Sequence, residues 1–192
     1  MNGVVAAVVV NRDDPDNLGR LEIRYHFQEP GDRSYWARIA TMMSGDRRGS
    51  WFMPEVNDEV LVAFDNGDMQ NPYIIGFLWN VDSKPPNQGI DTNVRRLQTT
   101  SGHILEFDDR PGQEKITLKT KSGNEITINE TTKEIKISAP TGRLNINCLQ
   151  GNITASAQLS INTPVAQFSG VVQATSFSGG AYTPAPGNTF GL

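Results

Sequence analysis

Two pairs of adjacent carboxylates, Asp13/Asp14 and Asp108/Asp109, are the residues whose type best suits acid–base chemistry or a calcium ion. Each pair stands near Pro or Gly in the composition of a solvated turn, and turn chemistry is the role those neighbours favour. His26 and His103 are isolated, with no second candidate ligand beside either, so both read as structural or surface residues. Cys148 is the single cysteine, which excludes an intrachain disulfide and a thiolate metal cluster built by one chain. Trp36, Trp51 and Trp79 offer faces on which bases could stack, but 17 basic against 21 acidic residues give a formal charge of -4. A nucleic-acid partner calls for a basic footprint, so none is expected, and the tryptophans are assigned to cores and subunit contacts. No catalytic residue, cofactor or metal ligand is assigned.

The elements that must position these residues are short. With 18 Gly and 11 Pro in 192 residues, the chain is punctuated too often for long helices, and an all-β fold is expected. Candidate strands over 4–10, 20–27, 35–39, 50–53, 59–64 and 73–78 alternate with explicit turns such as Asp65-Asn66-Gly67-Asp68, as in a small barrel. The apolar run 3–10 lacks a basic n-region and reads as a strand, not a signal peptide, which implies synthesis in the cytoplasm without a leader. No run approaches a membrane-spanning length. Pro85 and Pro86 lack backbone donors and their polar neighbours offer almost no apolar anchor, and a linker is placed over 83–98 between a first domain, 1–82, and a second, 99–178.

The second domain has a different texture. Ile116, Leu118, Ile126, Ile128, Ile135, Ile137, Leu144, Ile146, Ile153, Leu159 and Ile161 recur with period two inside short segments, of which those starting at 116, 126, 135, 144 and 153 follow one another every nine or ten residues. The intervening positions are Thr, Lys, Ser and Asn, so each segment has one apolar face that must be hidden. Ser101-Gly102-His103 is echoed by Ser122-Gly123-Asn124, 21 residues on. Three arrangements can hide the stripe: three chains wound about one axis, a single-chain β-solenoid with a 21-residue turn, or an ordinary antiparallel sandwich. The short strand-to-strand step leaves little chain for solenoid corners and favours the trimer, with those eleven side chains on its axis.

The stretch Trp36-Ala37-Arg38-Ile39, then Gly49-Ser50-Trp51-Phe52-Met53-Pro54-Glu55-Val56-Asn57-Asp58-Glu59-Val60, Gly67-Asp68 and Pro72-Tyr73-Ile74-Ile75-Gly76, resembles the OB domain of phage baseplate assembly protein V and of VgrG spikes. The Lys84-Pro85-Pro86 junction and the Ser-Gly repeats, with Phe107-Asp108-Asp109-Arg110-Pro111-Gly112, resemble the entry of those spikes into their β-helix. The resemblance covers about residues 1–140. It implies an all-β fold, an N-terminal OB-fold barrel followed by an intertwined trimeric β-helix needle.

It further implies a non-enzymatic homotrimeric spike, assembled in the baseplate of a virion or phage-tail-like particle and crossing a target membrane only transiently on sheath contraction. A separate trimeric hub is expected at the OB end, because the sequence starts at that domain. Some relatives carry a His-x-His iron site at the tip. Here 179–192 contains no His, so a PAAR-type tip protein is expected to contact Pro184, Pro186, Phe190 and Leu192.

Overall fold

The computed structural model describes residues 3–29, 31–32, 35–86, 89 and 91–176. They form twelve strands and no helix, so none of them makes a helix long and apolar enough to cross a membrane. The tip segment 179–192, with the four residues assigned to tip contact, lies outside the described residues.

The first part is a closed barrel of five strands. These are β1 (Val4–Asn11), β2 (Leu21–Tyr25), β3 (Tyr35–Ile39), β6 (Glu59–Asp65) and β7 (Asp68–Leu78), in the order β1-β2-β3-β7-β6. All pairs are antiparallel except β3 with β7, where Arg38 faces Tyr73 and Ile39 faces Ile74 in a parallel ladder. Alternation along the strands sends Ala7, Val9, Leu21, Ile23, Tyr25, Ala37, Val60, Val62 and Ile74 into one fully buried core. Tyr25 is the largest of them. Its ring meets Phe27, Tyr35 and Phe64 at centroid distances of 5.3, 5.3 and 5.6 Å, and its hydroxyl donates to the Met69 carbonyl at 2.9 Å. Burial pushes that phenol up to about 12.

Between β3 and β6 a small hairpin, β4 (Ser44–Gly45) with β5 (Arg48–Gly49), takes the place of the strand expected over 50–53. Pro54 follows directly and has no amide proton to extend a ladder. Trp51 instead lies across the backbone of Gly19, where a Cβ would come within 3.0 Å of its ring. The assignment of the tryptophans to the barrel core is therefore corrected. Trp51 and Trp79 are 72% and 69% exposed, and Trp36 sits on the outer surface beneath the Arg20 guanidinium, 5.6 Å from its ring.

The second sheet is an antiparallel meander of β8 (Val94–Gln98), β9 (Ile104–Asp108), β10 (Lys115–Lys119), β11 (Glu125–Asn129) and β12 (Glu134–Ser138). The linker expected over 83–98 thus ends earlier, because 94–98 pairs with β9 along its whole length. Its alternation, Val94-Arg95-Arg96-Leu97-Gln98, is hidden in the sequence by two arginines that interrupt the apolar pattern.

The 21-residue echo is a pair of like turns at one end of this meander. At Thr99 and again at Thr120, the Thr carbonyl accepts from the Gly amide three residues on. The Thr hydroxyl accepts from the amide of His103 or Asn124, and Gly102 and Gly123 both take φ +89°. The repeat unit is one down-and-up hairpin, not the coil of a solenoid.

A second compact unit begins at Asn145. Among its described residues, 145–176, none is in a strand of this chain. The segments beginning at Leu144, Ile153 and Leu159, expected as strands, have no intrachain ladder there, and period-two sequence becomes a strand only where a partner edge is present.

Candidate assembly interface

Register decides what each face of the meander carries. One row across the sheet reads Arg95, Phe107, Ile116, Ile128, Ile135, and the next reads Leu97, Leu105, Leu118, Ile126, Ile137. Directly opposed residues share a face, so these two rows form one nearly continuous apolar surface. Its side chains are uncovered in the single chain: from Ile116 at 41% to Ile135 at 72%, every apolar member but the half-buried Leu105 is exposed.

The opposite face is mostly polar, with Val94 and Ile104 its apolar members, and it carries several ion pairs. Arg96 Nε donates to Glu106 at 2.7 Å, with both side chains largely covered. Asp108 is buried and accepts from Arg110 Nε at 2.8 Å and Nη2 at 2.6 Å, with Lys115 3.7 Å away. The Arg110 guanidinium holds that carboxyl well below the usual carboxylate range. Glu125 is lowered by the Thr127 hydroxyl, and Glu114 by backbone amide donors. The face that hydrogen bonds can satisfy is closed, and the face that only other side chains can satisfy is open.

Of the eleven residues assigned to an axis, six lie in these two rows: Ile116, Leu118, Ile126, Ile128, Ile135 and Ile137. Leu144 closes the first unit, 62% exposed. Ile146, Ile153, Leu159 and Ile161 belong to the second unit and are exposed in it, as are Val165, Phe168 and Val171 farther along. Leu97, Leu105 and Phe107 extend the rows and were missed by the sequence reading. The signal existed in Leu105-Glu106-Phe107, but Leu97 fell inside the expected linker.

Asp13 and Asp14 lie in a loop, as expected, whereas Asp108, expected in a solvated turn, ends β9 and is buried. Asp14 accepts from the amides of Asp16, Leu18 and Arg20 and from the Arg20 guanidinium, clasping the 14–20 loop. The Arg20 contact holds its carboxyl well below the usual range. His26 Nε2 is 3.3 Å from Glu59. His103 serves the first Thr-Ser-Gly turn through its backbone. Among the described residues, no group of three His, Cys, Asp or Glu side chains could hold a metal ion.

Comparison with known proteins agrees with this division. Residues 5–79 match the type VI secretion system/phage-baseplate injector OB domain, and 95–164 match the phage baseplate V C-terminal trimerisation domain. The chain is 31% identical over 134 residues to the type VI secretion system spike protein VgrG3 of Vibrio cholerae, which covers 62% of this chain and 13% of that protein. It is 30% identical over 112 residues to the spike protein VgrG5 of Pseudomonas aeruginosa, covering 53% of this chain and 14% of the relative. It is also 29% identical over 136 residues to the actin cross-linking toxin VgrG1 of V. cholerae, covering 62% and 12%. The chain thus spans a small part of the relatives' length. A closed barrel matching the injector OB domain, followed by an open apolar sheet within the segment matching the trimerisation domain, is consistent with a VgrG-like baseplate protein.

Proposed function

We propose that the chain is the structural central spike of a contractile tail or injection system and works as a homotrimer. The observation that carries this reading is the pair of apolar rows on β8–β12, exposed in one chain and lying within the segment that matches a trimerisation domain. Three copies that turn those rows toward a common axis remove them from water. The polar faces, with their ion pairs already made, then form the outer wall. In the second unit the same argument applies to the stripe from Ile146 to Ile161, where pairing between chains would supply the ladders absent within one.

The domain plan follows: an OB barrel over 1–82, a needle reaching to about 178, and a tip over 179–192. A separate hub seats the barrels, a PAAR-type protein caps the tip, and the particle's baseplate is where the trimer resides. The role is mechanical and non-enzymatic: force from sheath contraction passes through the barrels into the needle, which pierces the target envelope. The carboxylates suited by type to catalysis support that role, since Asp14 and Asp108 are tied to arginine.

Sedimentation equilibrium of the purified chain tests the reading. Three times the chain mass, unchanged on dilution, is expected; a compact monomer at working concentration refutes it.

A further inference from the structure

Beside the β4–β5 hairpin the barrel wall opens into a cleft of about 710 Å³, bounded by the loop before β2, the end of β3 and the segment after β5. Its charge is one-sided. Arg38, Arg47 and Arg48 line it and no Asp or Glu does, on a chain whose formal charge is -4. Unlike Arg20, Arg96 and Arg110, which are tied to carboxylates, none of the three makes an ion pair among the described residues. Arg38 is held instead by Tyr73: its guanidinium lies over that ring, 4.5 Å from the centroid, and donates to the phenol oxygen. The same cleft exposes Leu18, Met43, Trp51 and Phe52, each more than half open to solvent. Arginine, methionine and aromatic side chains in the absence of acids are the composition of a protein contact. The hydroxyls of a glycan would call for acceptors, and this lining has no carboxylate to offer.

The hairpin that carries two of the arginines is locked in place. The Ser50 amide donates to the Met43 carbonyl at 2.9 Å, and the Thr41 hydroxyl donates to the Ser50 carbonyl at 2.8 Å, which closes the base of the hairpin. A Cβ at Gly49 would stand 2.6 Å from the Met43 carbonyl oxygen, and one at Gly45 would stand 2.6 Å from Arg48 Nε. The two glycines therefore let the strands close and let Arg48 lie across them. Arg47 takes φ +53°, a left-handed conformation that Gly or Asn would hold more easily. An arginine kept where the backbone favours glycine points to a use for its guanidinium.

We propose that this cleft docks an acidic peptide segment of a different protein, whose carboxylates pair with Arg38, Arg47 and Arg48 and whose apolar anchor lies on Trp51. Charge selects the occupant. Guanidiniums without an internal counter-ion attract carboxylates and can grip them through two donors at once. The exposed indole adds the apolar area that makes the contact more than electrostatic. The cleft is complete within one barrel, so the inference does not rest on the trimeric reading.

Selection of a random peptide library displayed on messenger RNA against the purified full-length protein tests the site. Recovered peptides should be rich in Asp and Glu around an aromatic or aliphatic residue. Labelled synthetic copies, followed by fluorescence anisotropy, should bind the Arg47→Glu/Arg48→Glu double variant about tenfold more weakly or worse. They should bind Trp51→Ala several-fold more weakly, and the unaltered protein less tightly as salt rises. Arg47→Gly separates binding from folding: its melting temperature should be kept, because Gly accepts the left-handed backbone, while affinity falls. Recovered peptides without acidic bias overturn the proposal, as do acidic ones whose affinity none of these variants changes. Heparin or a single-stranded oligonucleotide held at the same arginines more tightly than any selected peptide overturns it in favour of another polyanion. A lower oligomeric mass for the double variant overturns it in favour of a second copy of this chain.

Discussion

The barrel and the meander each have five principal strands, yet one completes its core and the other does not. In the barrel, β6 returns to β1, and nine side chains are sealed without help. The meander runs β8 to β12 in simple order and never meets another layer, so its apolar rows face water. Strand number and alternation are therefore not what separates a self-sufficient domain from an assembly module. Closure is: the barrel's one parallel pair, β3 with β7, joins the two halves of the barrel, and the meander has no such crossover.

The largest test of that contrast is a charge on the open face. Ile128→Asp or Ile146→Asp would place three carboxylates near a common axis, and sedimentation should show the trimer lost. Near-ultraviolet dichroism from the Tyr25 cluster should survive, since that core is complete within one chain. A soluble, SDS-resistant trimer of either variant would refute the axial placement. The converse change is Ile74→Ala in the barrel, which should cost about 2–5 kcal/mol in barrel unfolding by denaturant and leave the oligomeric mass intact.

Alkali separates the two regions more gently. Tyr25 is buried as the neutral phenol and its folded pKa is raised, so its contribution is fully present below its ordinary value near 10. That contribution is lost as pH rises through about 12. β8–β12 contain no tyrosine. Dichroism should therefore report the barrel failing across that interval, and Tyr25→Phe should flatten the loss while costing about 1 kcal/mol at neutral pH through the bond to Met69.

Acid works with the opposite sign. The folded pKa of Asp108 is depressed, so its contribution is present above about pH 4 and declines as pH falls through the lower folded value. Asp108→Asn should make the acid limb of a thermal-melt series shallower. The smallest effect sharpens the turn argument. Gly123→Ala, at φ +89°, should cost about 1 kcal/mol, whereas Gly170→Ala, with open space around it and no positive φ, should change little in the same thermal scan.

Much of this was legible in the residues. Alternation marked all five barrel strands and every strand from β10 to β12, because period two survives wherever one face is buried or is to be buried. Where the alternation was interrupted, the reading slipped: Leu97 between charged and polar neighbours disappeared into a linker, and Trp51-Phe52 looked like strand although Pro54 denied it a ladder. The tryptophans were misplaced because size and hydrophobicity do not say which side of a barrel a loop will cross.

The sequence by itself determined that an apolar stripe runs from Ile116 to Ile161 and that one face of each segment must leave water, since side-chain alternation is a local property of extended backbone. Only the tertiary structure decided that β8–β12 find their edges within the chain while their faces stay uncovered, and that Arg38 meets Arg47 and Arg48 around one cleft. Both outcomes depend on which distant strands meet and in what register, which no local window of residues specifies.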